Sequence, residues 1–548
     1  MPPDAACRRK QATTLVAVTL ALIAAIFRPL PAASGVERVD VVTYHNDAQR
    51  TGWNARERLL TAATVASRHF GLLWRVPLDG REDAQPLLAT AESIGGGTHD
   101  ALYLATENDS LYAVDAKDGA VLWMRSLGTP VPDRVKGGNT SVFPVVGILG
   151  TPVIDRARNA LYCVADTFDG GIDAFVLHAV SLTDGSDLAA PATIAASAQL
   201  SDGTTWTFDA RVQFQRPGLL EAGGGVYVAF GSNSDVSFRK ARGLLLRYDA
   251  ATLQQTGATL TNSLSGEADP FYLSSIWQSG YAPALGDGGA IFAATGNSNP
   301  FRGTYSRKYN HPEGVLKFSS DLSRLLDSFT PSNYVTLDED NADVGSGGTM
   351  VVPDQGAGAP RMVVAGGKDG RTFLLDADRM GGFSRDGTDR ALAEVQGGPC
   401  WCGPAYFVGS DGVARIVTGG ALGATAWRIA AGGGKASLAF DSSTGSAAVQ
   451  GLPENGGVIP AVSSNGEQAG TAIVWFVQRP QATSDRGDGT PVTLRAYDAM
   501  DLTHPLFAGT GGHWRHAAGS NANIVPTIAE GKVFVASDGE LRAFGLRP

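Results

Sequence analysis

The chain has 548 residues, of which 69 are glycine and 18% are charged. This composition suits many short strands joined by tight turns rather than long amphipathic helices. The formal net charge is -10 at pH 7, and no cluster of Lys and Arg is visible beyond the N-terminus. The composition therefore argues against a nucleic-acid partner, because phosphate binding needs a concentrated basic surface.

Residues 1–34 have the pattern of an export signal. A basic group at residues 8–10 precedes an apolar run over residues 11–27, and small residues follow up to Ser34. We expect cleavage near Gly35 and a periplasmic or extracellular protein with no membrane span in the mature chain. The alternative is an uncleaved anchor, although the apolar run is shorter than the roughly 20 residues that a bilayer requires.

Three cysteines follow this signal: Cys163, Cys400 and Cys402. An exported protein with an odd number of cysteines is expected to contain one disulfide and one free thiol. Cys400 and Cys402 could bridge as a strained small ring, and Cys163 could equally pair with either of them. A further alternative is that these thiols are free and buried.

Residues 35–70 form a lead-in before the first repeat. They contain the stretch TYHNDAQRTGWN at residues 43–54, and a segment in which Thr61 can cap a short helix. The next stretch, FGLLWRVPL at residues 70–78, has the composition of a single strand, but no partner for it lies nearby. Such a strand must pair with a distant part of the chain.

The stretch from Leu102 to Trp123 shows the repeating unit of the chain. Its first half alternates apolar and polar residues up to a turn at residues 107–109, and a second strand follows at once. Gly119 lies in a second turn that needs a positive φ, and a third strand leads to Trp123. These elements make up most of one blade of a β-propeller, which needs stacked neighbours to bury its faces.

Eight segments with this plan recur at a period of roughly 60 residues, which fits four strands with their loops. They open at Ala84, Gly150, Phe214, Ser279, Gly345, Gly403, Gly457 and Ala522. We therefore predict an all-β fold over residues 71–548, an eight-bladed β-propeller of four-stranded antiparallel blades. The eighth segment lacks an outer strand, so the single strand at residues 70–78 should complete it and close the ring.

The segment AVDAKDGAVLW at residues 113–123 resembles the tryptophan-docking motif of quinoprotein-type propellers, A-x-D-x-x-T-G-x-x-x-W, with Asp118 in place of Thr. TYHNDAQRTGWN followed by FGLLWRVPLDG is similar to the start of exported PQQ-like repeat proteins with no assigned activity. The resemblance implies the eight-bladed propeller of the pyrroloquinoline quinone (PQQ) dehydrogenases and the BamB-type assembly factors. It implies a fold and leaves the activity open.

The resemblance also implies candidate residues for binding PQQ and Ca²⁺. In ATGNSNPF, Asn297 matches an asparagine that binds calcium in the dehydrogenases, and Trp277 lies where their ring-stacking tryptophan is expected. Lys368 matches the basic residue that contacts the quinone. Asp340 and Asp343 keep the D-x-x-D of H-D-x-W-D, which makes Asp340 the candidate catalytic base. Both aspartates and Asn297 are the candidate metal ligands.

Each of these positions also has an ordinary structural interpretation. A Gly-Asn pair is common in turns at strand ends, a tryptophan packs between blades, and a lysine or an acidic run in a turn is commonly solvated. Residues 166–180 lack the Glu and Arg that the dehydrogenases have in the second blade, and the adjacent-cysteine pair is missing. The sequence also has no C-x-x-C-H for a covalent haem.

We therefore expect an exported, monomeric propeller that works by binding, through its loop face or its central funnel. Its partner would be an unidentified protein or small-molecule ligand, because a rigid ring with variable loops suits recognition. The alternative is a divergent PQQ- and calcium-dependent dehydrogenase that oxidises an alcohol or a sugar.

Overall fold

The computed structural model describes residues 38–136, 142, 144–232, 241–265, 273–298, 304–399, 401–420, 423–445, 457–479, 490–514 and 524–547. In this part of the chain the strands form eight main antiparallel sheets arranged in a ring. The predicted eight-bladed β-propeller is therefore confirmed. The expected export signal lies outside the described residues, and no described helix is long and apolar enough to cross a membrane.

Blades 1 to 4 each run from an innermost strand to an outermost strand along the chain. Their strands are, for blade 1, Leu87–Ile94, Gly97–Ala105, Ser110–Asp115 and Val121–Ser126; for blade 2, Val153–Asp155, Ala160–Asp169, Ile172–Ser181 and Ala192–Thr193; for blade 3, Leu220–Ala222, Gly225–Ser232, Leu244–Asp249 and Gln255–Leu260; and for blade 4, Ala284–Leu285, Ile291–Ala294, Val315–Phe318 and Leu325–Thr330. Gln213–Phe214 extends the blade 3 sheet, and Gly382–Phe383 adds to the outer edge of blade 4 in parallel.

Blades 5 to 7 follow the same order, and blade 8 takes its outermost strand from the start of the chain. The strands are, for blade 5, Thr349–Val352, Met362–Gly366, Arg371–Asp376 and Ala393–Gln396; for blade 6, Ala405–Val408, Ala414–Gly419, Ala424–Gly432 and Lys435–Ser443; for blade 7, Ala461–Ser463, Ile473–Gln478, Thr490–Asp498 and Pro505–Trp514; and for blade 8, Thr527–Ala529, Lys532–Ala536, Asp538–Leu546 and Phe70–Arg81. Two small hairpin sheets lie outside the blades: Val131–Pro132 with Val145–Val146, and Ser197–Gln199 with Thr205–Thr207.

Helical segments are few and short among the described residues. The α-helices are α1, Ala62–Val65, and α2, Tyr334–Asp340, and the 3-10 turns are Asp133–Lys136, Gln278–Gly280, Asp287–Gly289 and Val344–Ser346. The predicted cap of α1 is confirmed, because the Thr61 hydroxyl accepts the backbone N–H of Thr64 at 3.1 Å.

The strand Phe70–Arg81, which we call the closing strand, pairs antiparallel with Asp538–Leu546. The predicted closure of the ring is therefore confirmed. Trp74 adds a second link, because its indole N–H donates to the carbonyl oxygen of Lys117 in blade 1 at 3.1 Å. Gly119, at φ +82°, is needed there, since a Cβ would lie 2.8 Å from the Trp74 ring.

Every blade packs on the next through its own hydrophobic cluster. Eight such clusters join the described parts of the blades into a circle. The cluster between blades 8 and 1 contains Val76 and Leu78 of the closing strand with Leu102 and Val114 of blade 1. Apolar burial stabilises by roughly 25 cal/mol per Å², so these interfaces are the main favourable term for the ring.

The lead-in runs through the centre of the ring. Residues 41–54, which we call the axle, form backbone hydrogen bonds with the innermost strands of six blades. Val41 pairs with Leu88, and axle carbonyls then accept N–H groups in ring order: Val42 from Ile154, Ala48 from Leu285, Gln49 from Val351, Thr51 from Tyr406 and Gly52 from Val462. The channel is therefore filled at this level by the protein's own backbone.

Arg50 fixes the axle at its middle. Its fully buried guanidinium donates twice to the carbonyl oxygen of Pro283, at 3.0 and 2.9 Å, and also to Thr43 Oγ1 at 2.7 Å. It donates further to the carbonyl oxygens of Tyr44 and Asp47 at 2.9 and 3.2 Å. Burial lowers the pKa of Arg50 to about 10, so the side chain stays charged at neutral pH.

Replacing Trp74 should loosen the closed ring. We expect Trp74→Ala to lower the free energy of unfolding by about 2 kcal/mol, because a half-buried ring and its hydrogen bond are lost. Leu72→Ala, at an exposed position of the same strand, is the matched control and should cost less than about 0.5 kcal/mol. Denaturant unfolding measures both, and equal effects would contradict the role given to Trp74.

Replacing Arg50 should destabilise the axle. We expect Arg50→Met to cost about 3 kcal/mol or more, because several buried carbonyl groups lose their donor at about 1–3 kcal/mol each. Thermal unfolding of Arg50→Met is compared with that of Arg75→Met, an exposed position on the closing strand. An Arg50 variant as stable as the Arg75 variant would show that the axle does not hold the ring.

Candidate functional site

The predicted site residues lie at the ends of neighbouring strands. In every blade the residues before the innermost strand and those after the second strand lie at the same end of the ring, because the two strands are antiparallel. Trp277 and Asn297 occupy these positions in blade 4, and Asp343 and Lys368 occupy them in blade 5. Four of the five predicted residues therefore meet at one end of the central channel, which we call the funnel end.

An aromatic cluster around the axle forms the floor of this funnel. The Tyr281 ring lies 4.8 Å from the Tyr44 ring and 4.9 Å from the His45 ring. Its hydroxyl donates to the carbonyl oxygen of Pro404 at 3.1 Å. Glycine is required at Gly348, where a Cβ would lie 2.0 Å from the Tyr281 ring. The floor is thus packed tightly and belongs to the fold.

Asp343 lies at the centre of the site and is completely buried. Its Oδ2 accepts the indole N–H of Trp277 at 2.8 Å, and its Oδ1 lies 2.5 Å from the ammonium of Lys368. Gly296 closes the space beside Oδ2, since a Cβ there would lie 2.6 Å from that oxygen. Oδ2 therefore accepts a hydrogen bond from the indole, whereas Oδ1 is held by an ion pair without a hydrogen bond.

Asn341 joins Asn297 to Lys368, and sequence reasoning missed it. It is the C-cap of α2, at φ +51°, a left-handed conformation that asparagine tolerates well. Its Oδ1 accepts from Lys368 Nζ at 3.2 Å and from Asn297 Nδ2 at 2.7 Å. Its place inside the D-x-x-D stretch was the available signal.

Two indole rings and two cations complete the site. Trp401, the second missed residue, meets Trp277 edge-on at 5.8 Å between ring centroids, with an interplanar angle of 86°. The Lys368 ammonium lies 5.1 Å from the Trp277 centroid and 5.2 Å from the Trp401 centroid, and the Arg216 guanidinium lies 5.7 Å from Trp277. Trp401 precedes the innermost strand of blade 6, a position equivalent to that of Trp277 in blade 4.

Asp340 is placed differently from the other predicted residues. It is exposed at the last position of α2, whereas Asp343 is the aspartate that contacts Trp277 and Lys368. The left-handed turn at Asn341 separates the two carboxylates. The catalytic role of Asp340 and the ligand roles of Asn297, Asp340 and Asp343 stay predictions.

A pair of buried acids, Glu313 and Asp338, lies beside the site, and Glu313 was not predicted. Glu313 Oε2 accepts the backbone N–H of Val344 at 2.7 Å, and Asp338 Oδ1 accepts that of Ser298 at 2.8 Å. Burial, with the nearby carboxylates of Asp338 and Asp343, raises the pKa of Glu313 well above its usual value. The folded protein therefore favours the protonated form of Glu313 more than the unfolded chain does.

The structure settles part of the cysteine pairing. Cys402, next to Trp401, is disulfide-bonded, whereas Cys163 is a buried free thiol. The alternative in which Cys163 forms the disulfide is therefore wrong, as is the alternative in which all the thiols are free. Cys163 lies inside the cluster between blades 1 and 2, where apolar neighbours surround it. Cys400 lies outside the described residues.

The residues present do not fit a divalent cation under a stacked quinone. Among the described residues, no group of three or more His, Cys, Asp or Glu side chains converges to hold a metal ion. Asn297 turns its NH₂ group toward Asn341, and Asp343 is already engaged by Lys368 and Trp277. Trp277 is 6% exposed, so neither face of its ring is open for stacking.

The second blade also has its own charge arrangement. Lys136 lies 3.0 Å from Asp166 and 2.9 Å from Asp173, and all three side chains are buried. A lysine and two aspartates therefore occupy the region in which the dehydrogenase pattern has Glu and Arg.

Replacing Glu313 should change how stability depends on pH. The folded pKa lies above the ordinary value of 4.5, so the stability that protonated Glu313 provides is complete below 4.5 and is lost as pH rises through the folded value. Glu313→Gln mimics the protonated acid at every pH. We expect its gain in free energy of unfolding over the parent to be larger at about pH 8 than at about pH 5, by about 1 kcal/mol or more.

Glu339→Gln, an exposed position on α2, is the matched control for this substitution. Thermal unfolding of both variants and the parent across pH provides the measurement. An identical pH dependence of the parent and Glu313→Gln would show that Glu313 is ionised in the folded protein.

Comparisons with known proteins support the fold. Residues 62–187 match the family model described as "Outer membrane protein assembly factor BamB". The quinohemoprotein alcohol dehydrogenase from Comamonas testosteroni aligns over 94% of this chain and 81% of its own, with a TM-score of 0.58 and 13% identity. A europium-containing methanol dehydrogenase aligns over 93% of this chain and 98% of its own, with a TM-score of 0.57 and 12% identity.

BamB from Moraxella catarrhalis aligns over 87% of this chain and 97% of its own, with a TM-score of 0.44 and 10% identity. No curated protein sequence matches the chain. At these identities the likeness concerns the backbone alone. The chain is thus an eight-bladed β-propeller that shares its fold with the quinohemoprotein alcohol dehydrogenase and the europium-containing methanol dehydrogenase.

Proposed function

We propose that this protein is an exported binding propeller that holds a small polar ligand at the funnel end, between blades 4, 5 and 6. The observation that carries this proposal is the pair of buried polar atoms that find no partner among the described residues, Asn297 Oδ1 and Trp401 Nε1. Unpaired buried acceptors and donors are costly, so such atoms are expected to bind water or a ligand. One acceptor and one donor beside the Lys368 ammonium suit a polar ligand.

Buried charge at the funnel end of other blades supports the proposal. Arg81 forms a two-pronged ion pair with Glu107 at 2.6 Å for both bonds, and both side chains are almost completely buried. Lys136 and Asp166 form a buried pair in blade 2. Buried ion pairs contribute little net stability, so their concentration around one opening favours a role in binding.

A divergent quinoprotein dehydrogenase is the second candidate. It is favoured by the convergence of four residues that the resemblance to the dehydrogenases had assigned to one site, Trp277, Asn297, Asp343 and Lys368. It is weakened by the poor fit of a divalent cation and a stacked ring. In this alternative Asp343 replaces Asp340 as the better placed carboxylate, because it is the one that contacts Trp277 and Lys368.

Ligand screening and reconstitution separate the two candidates. The mature protein is screened by thermal unfolding and tryptophan fluorescence against carboxylic acids, sugars and PQQ, with and without Ca²⁺. A binding protein should be stabilised by a ligand, should lose at least about tenfold in affinity in Lys368→Met, where a charge-assisted hydrogen bond is removed, and should reduce no dye. A dehydrogenase should reduce a dye with an alcohol only after PQQ is added.

Glu339→Gln is the control, since it removes an exposed charge from α2, outside the contacts of Lys368. Stabilisation by no compound at all, or stabilisation that Lys368→Met leaves unchanged, would rule out binding at this site. Dye reduction that Asp343→Asn abolishes and Asp340→Asn preserves would establish the second candidate with Asp343 as its base.

A further inference from the structure

We propose that the ammonium of Lys368 takes the place of a divalent cation at the funnel end, so that this site holds its ligand without a metal. The inference extends the proposed function, and only its statement about the ligand rests on that function. The claim about the cation concerns the protein alone and is tested without any ligand.

The charge balance of the site is the first argument. Asp343 is fully buried and needs a compensating positive charge. Lys368 supplies it at 2.5 Å, with side-chain exposures of 6% for Lys368 and 0% for Asp343. A divalent ion on the same carboxylate would lie within a few ångströms of the ammonium, in a buried environment where repulsion is poorly screened.

The orientation of the amides is the second argument. Lys368 Nζ can only donate, so the Asn341 atom that faces it is Oδ1. The same Oδ1 also faces Asn297, which must therefore present its NH₂ group. The lysine thus fixes both amides in an arrangement that turns the Asn297 carbonyl away from Asn341.

The surroundings of Asp343 Oδ2 are the third argument. The Trp277 N–H occupies this oxygen at 2.8 Å, and Gly296 packs so closely that even a Cβ would approach to 2.6 Å. An ion could reach Oδ2 only by displacing the indole. Oδ2 is therefore closed to an ion, and Oδ1 faces the ammonium of Lys368 as an ion pair.

The same geometry indicates the class of ligand. An ammonium has three N–H donors: one donates to Asn341 Oδ1, and a second lies beside Asp343 Oδ1 in an ion pair. The third can donate to an oxygen of a ligand, and the unpaired Asn297 Oδ1 can accept a hydrogen from it. A molecule with a carboxylate or carbonyl oxygen next to a hydroxyl or amine group meets both requirements.

Metal titration of the full mature chain tests the proposal. Thermal unfolding is measured in EDTA and in excess Ca²⁺, and Tb³⁺ binding is followed by luminescence excited through tryptophan. The variants are Lys368→Met, the double variant Lys368→Met with Asp343→Asn, and the control Glu339→Gln. The parent and the control should unfold at the same temperature in EDTA and in Ca²⁺, and should show no Tb³⁺ emission that depends on Asp343.

Lys368→Met leaves Asp343 uncompensated. We expect its unfolding temperature to fall by several degrees in EDTA, Ca²⁺ to restore part of that fall, and Tb³⁺ emission to appear. The double variant should lose the response to both ions. If Lys368→Met does not fold in EDTA but folds in Ca²⁺, the proposal is equally supported.

The proposal would be overturned if Ca²⁺ raised the unfolding temperature of the parent more than that of Asp343→Asn. Tb³⁺ emission in the parent that is absent in Asp343→Asn would also overturn it. A Lys368→Met variant that is indifferent to both ions would also overturn it. These outcomes differ from failure of the proposed function, in which no screened compound binds although the metal titrations come out as expected.

Discussion

The pairing of the closing strand with the last blade is the constraint on which the rest of the structure depends. It joins residues 70–81 to residues 538–546, close to the two ends of the described chain. Because of it, each blade has a neighbour on both sides and each hydrophobic cluster is complete. Without it, blade 8 would expose a strand edge and an apolar face. Trp74 also links the closing strand to blade 1 through its hydrogen bond to Lys117.

Closure and the axle are consecutive in the sequence. The chain fills the centre of the ring with residues 41–54, passes through α1, and then forms the outermost strand of blade 8. Leu60 and Val65 of the connection lie in the cluster between blades 7 and 8. One continuous segment therefore fixes both the centre and the rim, and the floor of the funnel belongs to the same unit that closes the circle.

The site illustrates how one fold can carry different chemistry. The ring brings strand ends of blades 4, 5 and 6 together, and the side chains at those ends decide what the opening can bind. Here a lysine and an aspartate neutralise each other, and two amides and two indoles surround them. The backbone resembles that of quinoprotein dehydrogenases, whereas this arrangement of donors and charges belongs to this chain.

The architecture could be predicted from the sequence alone. The repeat unit expected over residues 102–123 is observed as the strands Gly97–Ala105, Ser110–Asp115 and Val121–Ser126, because alternating polarity and glycine turns are local properties. Closure of the ring was predictable as well, because the sequence shows both a strand that has no neighbouring partner and a last segment that lacks its outer strand. The resemblance to the dehydrogenase motifs grouped Trp277, Asn297, Asp343 and Lys368, and the structure brings these four residues together.

The position of the axle and the contacts among the site residues could be seen only in the folded structure. TYHNDAQRTGWN has no periodicity, and its hydrogen bonds run to strands up to several hundred residues away, so no local pattern could show its place. Three residues of the site were not predicted because their contacts form between blades. Asn341 orients the amide of Asn297, Trp401 meets Trp277 edge-on, and Glu313 is buried near Asp343. The pairing of Lys368 with Asp343 also depends on a distance between two loops. Spacing along a chain constrains which residues can meet, but packing sets which of their atoms face each other.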